Sequence, residues 1–140
     1  MRKNPEQEAK RWLAQAENDL EFARLALRES FYAQTCFICQ QAAEKALKAL
    51  RYRQGERLVI GHSTYRLIED LKAGYPQMAE FSEVAGVLDQ FYVSSRYPNG
   101  LPDGLPFEAF NQKQAREALE GTEALIGKVR SLMDFANQQS

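Results

Sequence analysis

The stretch Phe37-Ile-Cys-Gln-Gln-Ala-Ala-Glu-Lys-Ala-Leu-Lys-Ala-Leu50 decides how the rest of the chain is read. It holds neither Gly nor Pro and is rich in strong helix formers. On a helix of about 3.6 residues per turn, Cys36, Cys39, Ala43, Ala46, Leu47 and Leu50 share one apolar face, which Ile38, Ala42 and Ala49 widen. Gln40, Gln41, Glu44, Lys45, Lys48 and Arg51 form a polar arc. So broad an apolar face belongs inside a bundle, and its alanines let neighbouring helices approach closely. Phe37 lies within the polar arc, which suggests that a partner or a loop covers it. A partly exposed Phe is the plainer alternative.

Outward from this helix, Glu6 to Glu29 carries the stripe Trp12, Leu13, Ala16, Leu20, Ala23 and Leu27, with Pro5 suited to a helix start. The short Ser30-Phe31-Tyr32 connection makes the two helices antiparallel neighbours. Gly55 is a candidate left-handed cap for the central helix. Lys45, Lys48, Arg51, Arg53 and Arg57, set against Glu56, give that end a local charge of +4, five less one. Such a cluster either supports the helix macrodipole or faces a phosphate.

Leu58-Val-Ile60 is too short to assign as a strand. Ser63 can cap a short helix with Leu67, Ile68 and Leu71 inward, ending near Gly74 and Pro76. His62, the sole histidine, is read first as structural, although it is the best general base the chain offers. Gln77 to Val93 is predicted as a further helix and residues 94–110 as a long loop, a feature often functional. Asn111 can cap a last helix running to about Ala136, with 137–140 frayed. The expected architecture is all-α: one domain over 1–140, core about 6–136, folded as an antiparallel four-helix bundle with one additional short helix.

The 140 residues suffice for one domain with a real core. A formal net charge of −1 gives no global field toward nucleic acid or membrane, so any phosphate binding must be local. No apolar run is long enough to span a bilayer, and Met1 to Glu8 lacks a hydrophobic signal core, which points to the cytoplasm and no membrane partner. Cys36-x-x-Cys39 has neither the further ligands of a zinc site nor the strand that precedes a redox pair, so both read as buried thiols. No metal or cofactor is expected.

Three stretches together resemble the HEPN family, the higher-eukaryote and prokaryote nucleotide-binding domain. They are Phe37-x-x-Gln40-Gln41-Ala42-Ala43-Glu44-Lys45-Ala46-Leu47-Lys48, Gly61-His62-Ser63-x-x-x-Leu67, and Tyr92-x-x-Ser95-Arg96-Tyr97-Pro98-Asn99. The resemblance implies a four-helix bundle that usually dimerises, often encoded beside a minimal nucleotidyltransferase. Many members are metal-independent, toxin-like ribonucleases. They carry an Arg for the phosphate and, four to six residues on, a His for the 2′-hydroxyl proton. Here Arg96 holds the Arg position, and no histidine follows it.

The preferred expectation is a dimeric nucleotide- or RNA-phosphate-binding module acting with a nucleotidyltransferase partner, with Arg96, Tyr97, Asn99, Lys45 and Lys48 as binding residues. The opposing account pairs Arg96 with Glu44 or Asp89 and gives Tyr97 and Pro98 only a turn to make. A ribonuclease with an altered site, drawing on Arg96, Tyr97 and His62, is the enzymatic alternative. An interaction protein that dimerises and docks its partner needs no active site.

Overall fold

The computed structural model describes residues 4–139, and the side chains of 4–134. Among these residues there are six α-helices and no strand: α1 Pro5–Arg28, α2 Tyr32–Arg53, α3 Thr64–Leu71, α4 Ser82–Ser94, α5 Pro106–Ala109 and α6 Gln112–Gln139. Four long helices make the bundle, α3 is the expected additional short one, and α5 is a further single turn. α2 is central, packing against α1, α3, α4, α5 and α6. α6 continues to Gln139, past the expected end near Ala136 and through most of the stretch expected to fray; Ser140 lies outside the described residues.

The α1–α2 hairpin starts at Asn4, whose side chain accepts the amides of Glu6 and Gln7, with Pro5 next to it. It turns at Ser30, which adopts φ 66°. The Ser30 amide donates to the Leu27 carbonyl at 3.0 Å and the Phe31 amide to the Ala26 carbonyl at 2.8 Å. These bonds close the last turn of α1 in the paired pattern that normally takes glycine. Gly55 performs the same turn after α2, at φ 98°. Trp12 stacks on Tyr52 at 5.1 Å, Asp19 takes Lys45, and Glu6 takes Arg53, so the early part of α1 lies beside the late part of α2. Ala9, Ala16 and Ala23 of α1 and Ala42, Ala46 and Ala49 of α2 are fully buried, as are Cys36, Cys39, Ala43, Leu47 and Leu50.

The polar arc of α2 is more buried than its composition suggests. Gln40, Glu44 and Lys48 are all within the interior. Each is satisfied there: Gln40 by the carbonyl of His62 at 2.7 Å, and Glu44 by Lys48 at 2.9 Å. A buried polar group costs little when so paired.

Between α3 and α4 the expected single helix Gln77–Val93 divides. A 3₁₀ helix, Pro76–Phe81, precedes α4 and inserts Met78 and Phe81 into the core. Its three-residue period aligns positions 78 and 81 on one side, which an α-helix would offset. The predicted loop 94–110 also contains regular structure: a 3₁₀ turn at Pro98–Gly100 and the single turn α5. At Gly100 a Cβ would stand 2.8 Å from the Ser94 Cα, so the chain folds back on the end of α4 only with glycine there. Phe110 then packs edge-on against Phe91 at 5.5 Å, and Asn111 opens α6 in a reciprocal cap with Gln114. Gly121 admits Val84 of α4 closely, whereas Gly127 has open space around it.

Candidate functional site

Arg96, at the end of α4, is held by rings. Its guanidinium carbon lies 4.3 Å from the Phe37 ring centroid, 4.6 Å from Tyr92 and 4.9 Å from Tyr97. Its Nε donates to the Tyr92 carbonyl at 2.8 Å, one helical turn back. No carboxylate pairs with it among the described residues, so the ion pair with Glu44 or Asp89 is not formed. Cation–π contacts of this kind contribute about 0.5–2 kcal/mol each, enough to order the side chain while its two Nη groups stay free to donate. Phe37 is partly exposed, the plainer of the two expectations, and packs against Tyr92 and Arg96 of the same chain.

His62 reaches the same neighbourhood from the α2–α3 connection. Its imidazole stacks on Tyr92 at 5.0 Å with 22° between the planes, and its Nδ1 lies 3.3 Å from the Glu44 carboxylate. Arg96 and His62 thus both stand within 5.0 Å of the Tyr92 ring centroid, and no hydrogen bond joins them. The residues after His62 are fixed by Asp89 of α4. Its carboxylate accepts the Thr64 amide at 2.8 Å, the Tyr65 amide at 3.1 Å, the Ser63 hydroxyl at 2.8 Å and the Thr64 hydroxyl at 2.7 Å. Ser63 is the cap of α3, accepting the Arg66 amide, and Asp89 adds an anion to that N-terminus.

The other candidates lie elsewhere. Lys45 is bound to Asp19 at 2.5 Å; Lys48 is buried against Glu44 and lies over Trp12. Of the remaining basic cluster, Arg51 is engaged with Glu56 and Arg53 with Glu6 and the carbonyl of Leu132, while Arg57 is exposed. Tyr97 is half exposed above Arg96, and Asn99 is exposed on the Pro98–Gly100 turn. Cys36 and Cys39 are buried, and burial pushes both thiols up to about 12. No group of three His, Cys, Asp or Glu among the described residues is placed to hold a metal ion, and no helix among them is long and apolar enough to cross a membrane.

Two open clefts flank these groups. One, of about 430 Å³, is lined by Arg96, Phe37, Ile38 and Phe22 with Leu105 and Phe107 of the α5 segment. The other, of about 280 Å³, is lined by His62, Ile60, Arg51 and Arg66 among others. Sequence reasoning kept His62 and Arg96 in separate motifs. What joins them is Tyr92, one helical turn before Arg96, with Glu44 on the facing helix. The i,i+4 spacing of Tyr92 and Arg96 was the available signal; the approach of His62 depends on the α2–α3 turn and had none.

The sequence model of the HEPN domain matches residues 9–132. The chain is 35% identical to TT1696 from Thermus thermophilus, covering 89% of this chain and 97% of that one, with a TM-score of 0.83. It is 34% identical to ST0689, described as an archaeal HEPN homologue, over 90% and 98% of the two chains, with a TM-score of 0.75. Among curated proteins it is 26% identical to "Putative toxin MJ1304" of Methanocaldococcus jannaschii, over 89% of this chain and 88% of that protein. With its all-α bundle, and with a family match running from α1 into α6, the chain belongs to the HEPN domain family.

Proposed function

We propose that this protein is a dimeric module that binds a nucleotide or RNA phosphate at Arg96 and acts with a nucleotidyltransferase partner. The observation that carries the reading is a guanidinium ordered by three aromatic rings and, among the described residues, free of carboxylates. A planar cation so presented offers a fork for phosphate oxygens, and the half-exposed Tyr97 offers a face for a base. Asn99, on the turn beside them, adds an amide. Lys45 and Lys48, already in ion pairs, fall outside the reading.

The dimer reading is supported by the apolar rim of the Arg96 cleft. Phe22, Leu105 and Phe107 are exposed there, Phe107 to 68%. A cleft and a projecting aromatic on one face suit a self-complementary two-fold contact. Likeness to a protein named as a toxin fits a paired system in which a partner restrains this chain.

Titration calorimetry with a short oligonucleotide tests the site. Arg96→Ala should weaken binding by about 1.5–3 kcal/mol, the range for a hydrogen bond to a charged group. Unchanged affinity in a folded variant would give Arg96 a structural role. Light scattering should find about twice the 16.0 kDa chain mass, and a monomer at every concentration would remove the dimer. Labelled single-stranded RNA in EDTA should show little or no cleavage, because no histidine follows Arg96 to handle the 2′-hydroxyl proton. Cleavage lost in both Arg96→Ala and His62→Ala would instead establish the ribonuclease.

A further inference from the structure

We infer that His62 is the second ligand-contacting group of the Arg96 site, so that the site takes a phosphodiester chain laid across Tyr92, with one phosphate at the guanidinium and the next at the imidazole. The inference rests on the phosphate-binding reading of Arg96 and extends it.

Its basis is how firmly an exposed side chain is held. The His62 side chain is 61% accessible, yet its Nδ1 faces Glu44, its ring stacks on Tyr92 and its carbonyl takes the Gln40 amide. The next three residues are pinned by Asp89. Glu44 occupies the Nδ1 side, which leaves Nε2 without a partner among the described residues. Arg96 and His62 share Tyr92 but line different clefts, so a single phosphate suits one of them and a chain of phosphates suits both.

The charges around the imidazole decide when it helps. From α2 it faces Glu44, whose charge Lys48 balances, and beyond it the Arg51–Glu56 pair. From α3 come Arg66 and Asp70, paired with each other, and from α4 Tyr92, with Asp89 spent on the α3 N-terminus. The named groups, three cations against four carboxylates, sum to −1, and protonation of the imidazole brings that sum to zero. With Nδ1–H directed at Glu44, a neutral ring presents a lone pair at Nε2, which repels phosphate oxygen; the protonated ring presents a donor. Affinity should rise as pH falls through the range where imidazoles protonate.

The probes are dTpdT and dTpdTpdT, with one and two phosphodiesters. Neither has a phosphate that titrates between pH 5.5 and 8 nor a 2′-hydroxyl to react. Between pH 8 and 5.5, binding of dTpdTpdT should tighten by about threefold to tenfold, a charge-assisted hydrogen bond reduced by solvent screening, and binding of dTpdT should change less. His62→Gln should abolish that slope while keeping the dependence on Arg96. Because the chain has one histidine, its imidazole signal in NMR is unambiguous, and by reciprocity dTpdTpdT should move the titration midpoint upward. Binding that Arg96→Ala weakens but that shows no pH slope and no shift of the midpoint would exclude His62 and leave the Arg96 reading intact. No binding of either probe at any pH would overturn both.

Discussion

Replacing Asp89 with alanine should unfasten α3 from α4 and loosen the residues that carry His62. The carboxylate accepts two backbone amides at the start of α3 and two hydroxyls, four bonds between 2.7 and 3.1 Å. A lost helix cap costs about 0.5–2 kcal/mol. The Thr64 amide would lose its acceptor, and an orphaned donor costs about 1–3 kcal/mol, whereas the Thr64 hydroxyl can turn to the Ala85 carbonyl at 2.9 Å. The Ser63 hydroxyl can turn to water, and Ser63 still caps Arg66, so the terms do not add in full. The expected loss is about 2–4 kcal/mol. Asp89→Asn keeps one acceptor oxygen and should lose about half as much. Urea unfolding followed by circular dichroism at matched m-value measures both. A loss below about 0.5 kcal/mol for alanine, within the range of ordinary surface substitutions, would show that water replaces the carboxylate and that the turn is held by other contacts.

Ser30→Gly should stabilise the protein by about 0.5–1 kcal/mol, the difference between the left-handed penalty of a side chain and the backbone entropy of glycine; a loss in thermal melts would mean that the serine is needed at φ 66°. Cys36 and Cys39 should resist iodoacetamide at pH 8 in the folded protein and react on unfolding. Burial raises both thiols from 9.0 to about 12, so the fold binds more protons than the unfolded chain above pH 9. Their contribution is thus complete below pH 9 and falls as pH rises toward 12, by up to about 1.4 kcal/mol per thiol per pH unit. Urea midpoints that decline equally in a Cys36→Ala, Cys39→Ala protein would assign the alkaline loss to other groups.

The bundle was legible because α1, α2 and α6 repeat their apolar residues at helical spacing, and because Gly55, Ser63 and Asn111 are residues that end or begin helices for local reasons. The 3₁₀ segment at Pro76–Phe81 and the single turn α5 were not legible, since each is too short for a periodic signal and is set by where Met78, Phe81 and Phe110 insert. Burial of Gln40, Glu44 and Lys48 was equally hidden. A polar arc looks solvated until the partners that satisfy it, the His62 carbonyl and the internal ion pair, are brought up by residues far along the chain. Arg96 was found through its motif; its aromatic setting required Phe37, one helix away, and Tyr97, beyond the end of α4.

For the phosphate binding proposed above, the aromatic setting of Arg96 also bears on how quickly a ligand would arrive. A cation ordered by an ion pair must shed its anion before it can engage a phosphate, and that exchange offsets much of the attraction. A cation ordered by the faces of Phe37, Tyr92 and Tyr97 keeps its full charge and its rotamer together. An incoming phosphate meets a field with no competing anion to displace, in a chain whose net charge of −1 adds little repulsion. Encounter at Arg96 is then limited by diffusion and orientation rather than by local rearrangement, and raising the ionic strength should slow association while leaving the rate of release nearly unchanged.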